Sequence, residues 1–517
     1  MKIDYKKTIL ISLVILGIFF RIYKWAKFEM FSGDEGIQLI YAEDILSGNY
    51  FPITGEISSL DQENKFILHN SPIGIYFQAL LYLIGFRSEI LYSLTYTFIN
   101  LAIIILIYKS VLLLTSQKSA TVALVLLLFS PFMLNASVWT SQPVNSLFFE
   151  SIAIYLIVKF LKTNNENLFL WGSISSIIAT QMYPPMYLLI IPKFIIWLYL
   201  VRNKILNQTK FLLGMTVAVI IIYLPFLFME LKYDFINTRS FLEFSRDSRV
   251  TYPNTVSYNS VTYLEKIAHL NKKVVNFFSH SFKGNEIVIA IYFLLISVGS
   301  LYKSTIKEKK LLTILSILTF FPIITMYMLY SKPSISGERA YLDIIFPFLV
   351  IFIAIIHNKT SQKIVFMFLL IYLLVTILPM KDYFFYKNAK KTSLNTINKT
   401  IDYVHSNTKQ KNLTVPFIHV ISEVDTWGWD GSIYWYILEK KMEKNIVSID
   451  FLSSKADTNH QYDLRPYIYL ICHGYDEQNC LSDWETIEKS YVYGKKNFFF
   501  MEKEKIDNNI VFTIKID

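Results

Sequence analysis

Long apolar runs separated by short lysine-bearing loops set the pattern over the first three quarters of the chain. Runs of spanning length or close to it fall near 8–24, 90–109, 119–134, 142–161, 168–184, 185–201, 211–230, 286–302, 311–330, 340–357 and 363–380. A bilayer crossing takes roughly 20 apolar residues, so these runs predict transmembrane helices. The run 72–86 falls short of that length, and the charge pattern assigns it. With the amino terminus inside, as Lys6 and Lys7 direct, and with 72–86 lying in the interface, Lys109, Lys118, Lys159, Lys162, Arg202, Lys204, Lys210, Lys303, Lys307, Lys309, Lys310, Lys359 and Lys363 all fall inside. If 72–86 crosses, every one of these loops flips outside, against the positive-inside rule. The pattern therefore predicts about eleven crossings, an outer-face loop over 25–89 and a second over 231–285. The loop 231–285, with Arg239, Arg246, Arg249, Lys272 and Lys273, is basic for an outer segment. Long translocated loops obey the rule weakly.

Near residue 381 the period changes. Leu394, Ile397, Ile401 and Val404 keep helical spacing, and GSIYWYILEKK (431–441) and SDWETIEK (482–489) read as helices. LTVPFIHVIS (413–422), NIVSID (445–450), YIYLIC (467–472), NFFFMEK (497–503) and NIVFTIKI (509–516) read as strands. The expected organisation is a membrane domain over 1–380 and a soluble α/β domain over 381–517, on the outer side if the number of crossings is odd.

Composition agrees with the pattern. The 517 residues are 53% hydrophobic, and mean hydropathy is +0.38, which excludes an ordinary soluble enzyme. The net charge of +10 is spread between apolar spans and forms no domain-sized patch, so it argues for cytoplasmic loops and anionic head groups and against a nucleic-acid partner. The first span carries Lys2, Lys6 and Lys7 ahead of it and no small-residue cleavage site, as a retained signal-anchor does. The two cysteines, Cys472 and Cys480, are either a disulfide closing a small loop in an oxidising compartment or two free thiols. With His473 they fall short of a zinc site.

Candidate chemistry gathers between Phe31 and Phe77. Asp34 and Glu35 follow the first span in a short polar loop, and Ile37, Ile40, Tyr41, Ile45 and Leu46 then recur as on an amphipathic helix at the membrane surface. Two carboxylates at that boundary suit a base or a ligand for a divalent metal ion acting on a lipid-borne substrate. A solvated turn is the bland alternative.

Asp34-Glu35, the Tyr41-Ala42 helix, Leu46-x-Gly48-x-Tyr50-Phe51 and His69-x-x-Pro72 together resemble the protein O-mannosyltransferase and lipid A aminoarabinose transferase superfamily. These are C-type glycosyltransferases that use polyprenyl-phosphate sugars. Where that superfamily usually reads His-Pro-Pro, this chain has His69-Asn70-Ser71-Pro72. A second likeness lies in SGERAYLDIIFPFLV (336–350): the superfamily commonly has a basic residue, then Arg-Tyr, then a proline on one span, and here Arg339, Tyr341 and Pro347 fit, with Ala340 intervening.

The resemblance implies a polytopic α-helical membrane enzyme of C-type architecture with an extracytoplasmic α/β domain. It would move a sugar from a polyprenyl-phosphate donor to a protein, lipid or envelope glycan. Asp34 is the implied base, with Glu35 orienting the acceptor or sharing the role, and both would hold any metal. Arg339, with Tyr341, is the implied phosphate partner, since a guanidinium forks onto phosphate oxygens; pairing with Glu338 or Asp343 is its alternative. Arg246 and Arg249 are further donor-binding candidates, and His69 either touches substrate or caps the helix that Pro72 opens. Where the superfamily often has a second acid, this chain has Asn145, with Glu150 one turn deeper. Glu150 inside a span is either a substrate contact or an acid satisfied within the bundle. The competing readings are a transporter or flippase, which would need paired broken helices with mid-membrane charges, and a scaffold whose soluble tail acts alone.

Overall fold

The computed structural model describes residues 5–27, 33–48, 57–59, 67–69, 71–138, 142–183, 192–196, 208–236, 346–359, 361–385, 394–411, 417–422, 432–442, 467–473, 476–489 and 498–516, with a few single positions and pairs between them. Its first elements are α1 (Tyr5–Lys27), α2 (Gly33–Leu46), a short antiparallel pair β1 (Ile57–Ser59) and β2 (Ile67–His69), and α3 (Ile73–Ile84). Then come α4 (Glu89–Leu114), α5 (Gln117–Phe129), α6 (Pro131–Ala136), α7 (Gln142–Thr163), α8 (Glu166–Met182), α9 (Gln208–Lys232), α10 (Phe346–Ile356) and α11 (Gln362–Phe385).

Among the described residues, four helices are long and apolar enough to cross a membrane, at Thr8–Ala26, Glu89–Leu114, Gln142–Thr163 and Leu212–Lys232. The chain is a multi-pass helical membrane protein. At 12 residues, α3 is about 18 Å long, too short to span a core of about 30 Å. The expected spans 286–302 and 311–330 lie outside the described residues, as does the expected strand 445–450.

Two compact units divide the chain. One comprises Met1–Trp25, Pro52–Phe77 and Ser93–Phe385. Its polar grip centres on a broken span. Pro131 has no N–H to give Leu127, so α5 stops at Phe129 and α6 restarts at Pro131, with the Ser130 hydroxyl accepting from the Met133 N–H. Arg21, fully buried, supplies the missing donors: its guanidinium reaches the Leu127 carbonyl at 3.1 Å and those of Leu128 and Gly17 at 2.9 Å. Its Nε donates to Asn100 Oδ1 at 2.8 Å, and the same Asn100 donates to the Met133 carbonyl at 2.9 Å. One turn along α1, Lys24 donates to Asn135. Elsewhere in the unit α7 and α8 pack closely because Gly172, Ser175, Ser176 and Ala179 line the seam.

The other unit comprises Ala26–Phe51, Gln78–Tyr92 and Tyr386–Asp517. Its core is a four-stranded sheet in the order β3 (Phe417–Ser422), β4 (Tyr467–His473), β6 (Asn509–Ile516), β5 (Phe498–Ile506). β3 and β4 are parallel, and the other pairings are antiparallel. Helices α12 (Leu394–Gln410), α13 (Ser432–Met442) and α14 (Glu477–Lys489) complete an α/β fold. Period-two alternation sends Ile468, Leu470 and Cys472 into a cluster with Cys480, Trp484, Phe512 and Ile514. Cys472 and Cys480 are joined as a disulfide inside that cluster. α14 begins at Glu477, earlier than the pattern at 482–489 suggests, because Asp476 caps it, accepting from the Asn479 N–H at 3.0 Å.

Candidate functional site

The acidic pair does not sit in a loop. Gly33–Leu46 is helical, so the backbone places Asp34 and Glu35 in the first turn of α2. A helix N-terminus carries unpaired N–H groups and positive potential, which favours ionised carboxylates there. α2 also buries a stripe beside the Ile37, Ile40, Tyr41, Ile45, Leu46 face expected at the membrane surface. Gly36, Gln38, Leu39 and Ala42 are buried, whereas Ile37, Ile40, Tyr41, Ile45 and Leu46 are half-buried. α2 packs against α13, and the Tyr92 hydroxyl donates to Gln38 Oε1 at 3.4 Å. Ala42 allows α13 a close approach on this stripe.

Behind α2, the turn after α3 is tied from several sides. Phe86 and Arg87 both adopt left-handed backbone, with φ of 53° and 55°. Such strain persists only where neighbours over-determine it. Tyr82 donates to the Arg87 carbonyl at 2.8 Å, and the Arg87 guanidinium reaches the Leu46 carbonyl at 3.1 Å and Glu43 Oε1 at 3.3 Å. Thus Arg87 caps the carboxyl end of the helix whose amino end carries the acids. Gly85 is required here, since a Cβ would lie 2.8 Å from the Tyr92 nitrogen. Gln78, on α3, is fully buried, and among the described residues neither end of its amide is hydrogen-bonded, a polar group that a ligand or water would satisfy.

The remaining candidates fall in several places. His69 closes β2 opposite Ile57. Arg246, Arg249, Arg339 and Tyr341 lie outside the described residues. Glu150, on α7, is buried and accepts from Ser176 Oγ at 3.0 Å and from Lys193 Nζ at 2.7 Å; Lys193 also bonds Ser176 Oγ. This is how an intramembrane acid is normally tolerated, with its charge met and its lone pairs used. Asn145, at the position of the missing second acid, donates to the Tyr96 hydroxyl at 3.1 Å, and its Oδ1 has no partner among the described residues. Among the described residues no three His, Cys, Asp or Glu side chains converge as a metal site would need.

Sequence reasoning passed over Arg21, Lys193, Tyr82 and Tyr436. The charges within apolar runs were a usable signal for the first two. The tyrosines carried none, because their partners are distant in the chain.

Residues 69–228 match the family model described as dolichyl-phosphate-mannose-protein mannosyltransferase. No curated protein matches by sequence. The crystal structure of ArnT from Cupriavidus metallidurans in the apo state superposes with a TM-score of 0.56 at 10% identity, covering 99% of this chain and 98% of that one. The same enzyme bound to undecaprenyl phosphate gives a TM-score of 0.44 at 11% identity over 98% and 97%. The sequence match to the expected superfamily thus covers residues 69–228, and the chain has the ArnT fold along nearly its whole length.

Proposed function

We propose that this protein is a membrane glycosyltransferase that moves a sugar from a polyprenyl-phosphate donor to an acceptor at the outer face of the membrane. The observation that carries the reading is the family match over residues 69–228, to enzymes whose named donor is a polyprenyl phosphate. The ArnT fold over the full length supports it. The placement outside the cytoplasm draws support from the lysine pattern and from the buried disulfide Cys472–Cys480, a feature of oxidising compartments.

In this reading the reaction is a single inverting displacement. An acceptor oxygen or nitrogen attacks the anomeric carbon while the bond from that carbon to the phosphate oxygen breaks. The acceptor proton passes to Asp34, and the electron pair leaves on the polyprenyl phosphate. Aspartate is a weak base at neutral pH, so it takes a proton already loosening in the transition state. Glu35 orients the acceptor. Arg339, with Tyr341, takes the departing phosphate charge, and His69, Arg246 and Arg249 add to donor binding. The sugar is a hexose or a pentose, and a divalent ion at Asp34 and Glu35 would assist the leaving group if the enzyme uses one.

The test is transfer by purified protein in liposomes loaded with labelled polyprenyl-phosphate sugars, beside lipid analysis of a deletion strain. Transfer by the wild type and accumulation of a polyprenyl-linked sugar in the deletion strain are expected. Asp34→Asn should abolish transfer with insertion intact, and Arg339→Ala should shift the dependence on donor concentration. Wild-type turnover in Asp34→Asn would remove Asp34 as the base. No transfer from any such donor would overturn the function.

A further inference from the structure

The fold leaves the C-terminal domain without an evident task, and acceptor binding is the obvious assignment for it. The contacts point elsewhere. The unit that contains the four-stranded sheet also contains residues 26–51 and 78–92, so the acid-bearing helix α2 and the turn after α3 fold with the tail. α13 is the element against which α2 packs.

Its side chains fasten that turn. Tyr82 spends its proton on the Arg87 carbonyl, so at 2.5 Å the Tyr436 hydroxyl is the donor to Tyr82. Lys440, in the last turn of α13, reaches Glu89 Oε1 at 2.6 Å and the Arg87 carbonyl at 3.3 Å. Burial, then Glu89 and Tyr82, push the Tyr436 hydroxyl far above the usual tyrosine range, so it keeps its proton and remains a donor. The left-handed Arg87 is therefore held through its carbonyl by Tyr82 and Lys440, while its guanidinium grips the end of α2.

We infer that the C-terminal domain is a positioning frame for the acidic pair: Tyr436 and Lys440 of α13, acting through Tyr82, Arg87 and Glu89, fix α2 and so set where Asp34 and Glu35 stand. The inference rests on the reading of those acids as the reacting carboxylates. Neither Tyr436 nor Lys440 touches substrate in this scheme. They act on turnover by fixing geometry, to which proton transfer is steeply sensitive.

The experiment uses the full-length protein in lipid nanodiscs, with two readouts. Hydrogen exchange over residues 33–46 reports whether α2 is held. Transfer kinetics with a polyprenyl-phosphate sugar report whether that holding matters. Lys440→Glu and Glu89→Lys should each speed exchange in α2 and lower kcat roughly tenfold, with the KM for donor within about twofold. Combining them restores the opposite-charge pair and should recover most of the kcat. Tyr436→Phe, which deletes a hydroxyl and keeps the ring, should act in the same direction and guards against misfolding of the charge variants.

Unchanged exchange in α2 in all three single variants would overturn the frame. So would faster exchange with unaltered kcat, or an effect confined to KM, which would make the domain a donor-handling one. If the wild type transfers no sugar at all, the proposed function fails, and the exchange readout alone upholds or overturns the clamp of α13 on α2.

Discussion

Replacing Arg21 with methionine would keep most of the side-chain volume and remove the donors to the Leu127, Leu128 and Gly17 carbonyls and to Asn100 Oδ1. A buried acceptor left without a donor costs about 1–3 kcal/mol, and Pro131 removes the ordinary donor to Leu127. The variant should lose several degrees of thermal stability in detergent, and Arg21→Lys should recover part of the loss with fewer, less directed donors. A melting point within a degree of wild type in Arg21→Met would show that water or a shifted backbone satisfies those carbonyls. The cost of this residue was not legible in the sequence. Arg21 stands near the C-terminal end of an apolar run, as interfacial anchors do, and two of its partners are backbone carbonyls 106 and 107 residues away. Glu150 was legible as an oddity, because an acid inside a span must be met by something. That Lys193 meets it could not be read from spacing.

Elements were more legible than contacts. The strands at 467–472 and 509–516 and the helix at 431–441 emerged close to their observed limits because alternation and helical spacing are local properties. α3 is 12 residues long, below the length of a crossing, and the expectation that it lies in the interface came from charge on the loops, where length left doubt. The stripe of α2 that packs on protein, with Gln38, Leu39 and Ala42, was not legible, because its partner α13 lies about 400 residues away in the chain. Packing between spans makes the next prediction. A Cβ on Gly172 would lie 2.9 Å from Ile157 Cγ1 and 3.2 Å from the Ala153 carbonyl oxygen, across the seam of α7 and α8. Ile157 can turn aside, but the Ala153 carbonyl is part of a helix and cannot. Gly172→Val should therefore destabilise the folded protein by about 1–3 kcal/mol through overpacking, read as a lower midpoint in a detergent unfolding series. Gly172→Ala should cost less. Equal stability of wild type and the valine variant would mean the two helices separate freely and the small-residue seam is not what joins them.

At the scale of the whole molecule, acid should act first on the C-terminal sheet. Lys411, then Asn407, hold the Glu502 carboxyl below the usual range, and Lys399, then Thr396, do the same for Asp507. Both acids tie α12 to the β5–β6 hairpin, Lys411 to Glu502 at 2.9 Å and Lys399 to Asp507 at 3.0 Å. A carboxyl whose folded pKa lies below its unfolded value stabilises the fold above the unfolded value, and that stability is lost as pH falls through the folded one. The window opens at about pH 4, the ordinary carboxylate range, and continues below it. These groups are exposed or nearly so, so solvent screens each pair and the effect of any one is small. Lowering pH from 7 to 3 at low salt should therefore raise hydrogen exchange in residues 394–411 and 498–516 before it does so in the α7–α8 seam. There the contacts between helices are made largely by neutral small and polar side chains, with buried Glu150 met by the partly exposed Lys193. Glu502→Gln should shrink the acid sensitivity of the hairpin while costing little at pH 7. If α12 and the hairpin keep their protection at pH 3 as fully as α7 and α8 do, the ion pairs are ornamental and apolar packing on Ile397, Ile401 and Val404 alone holds α12 to its unit.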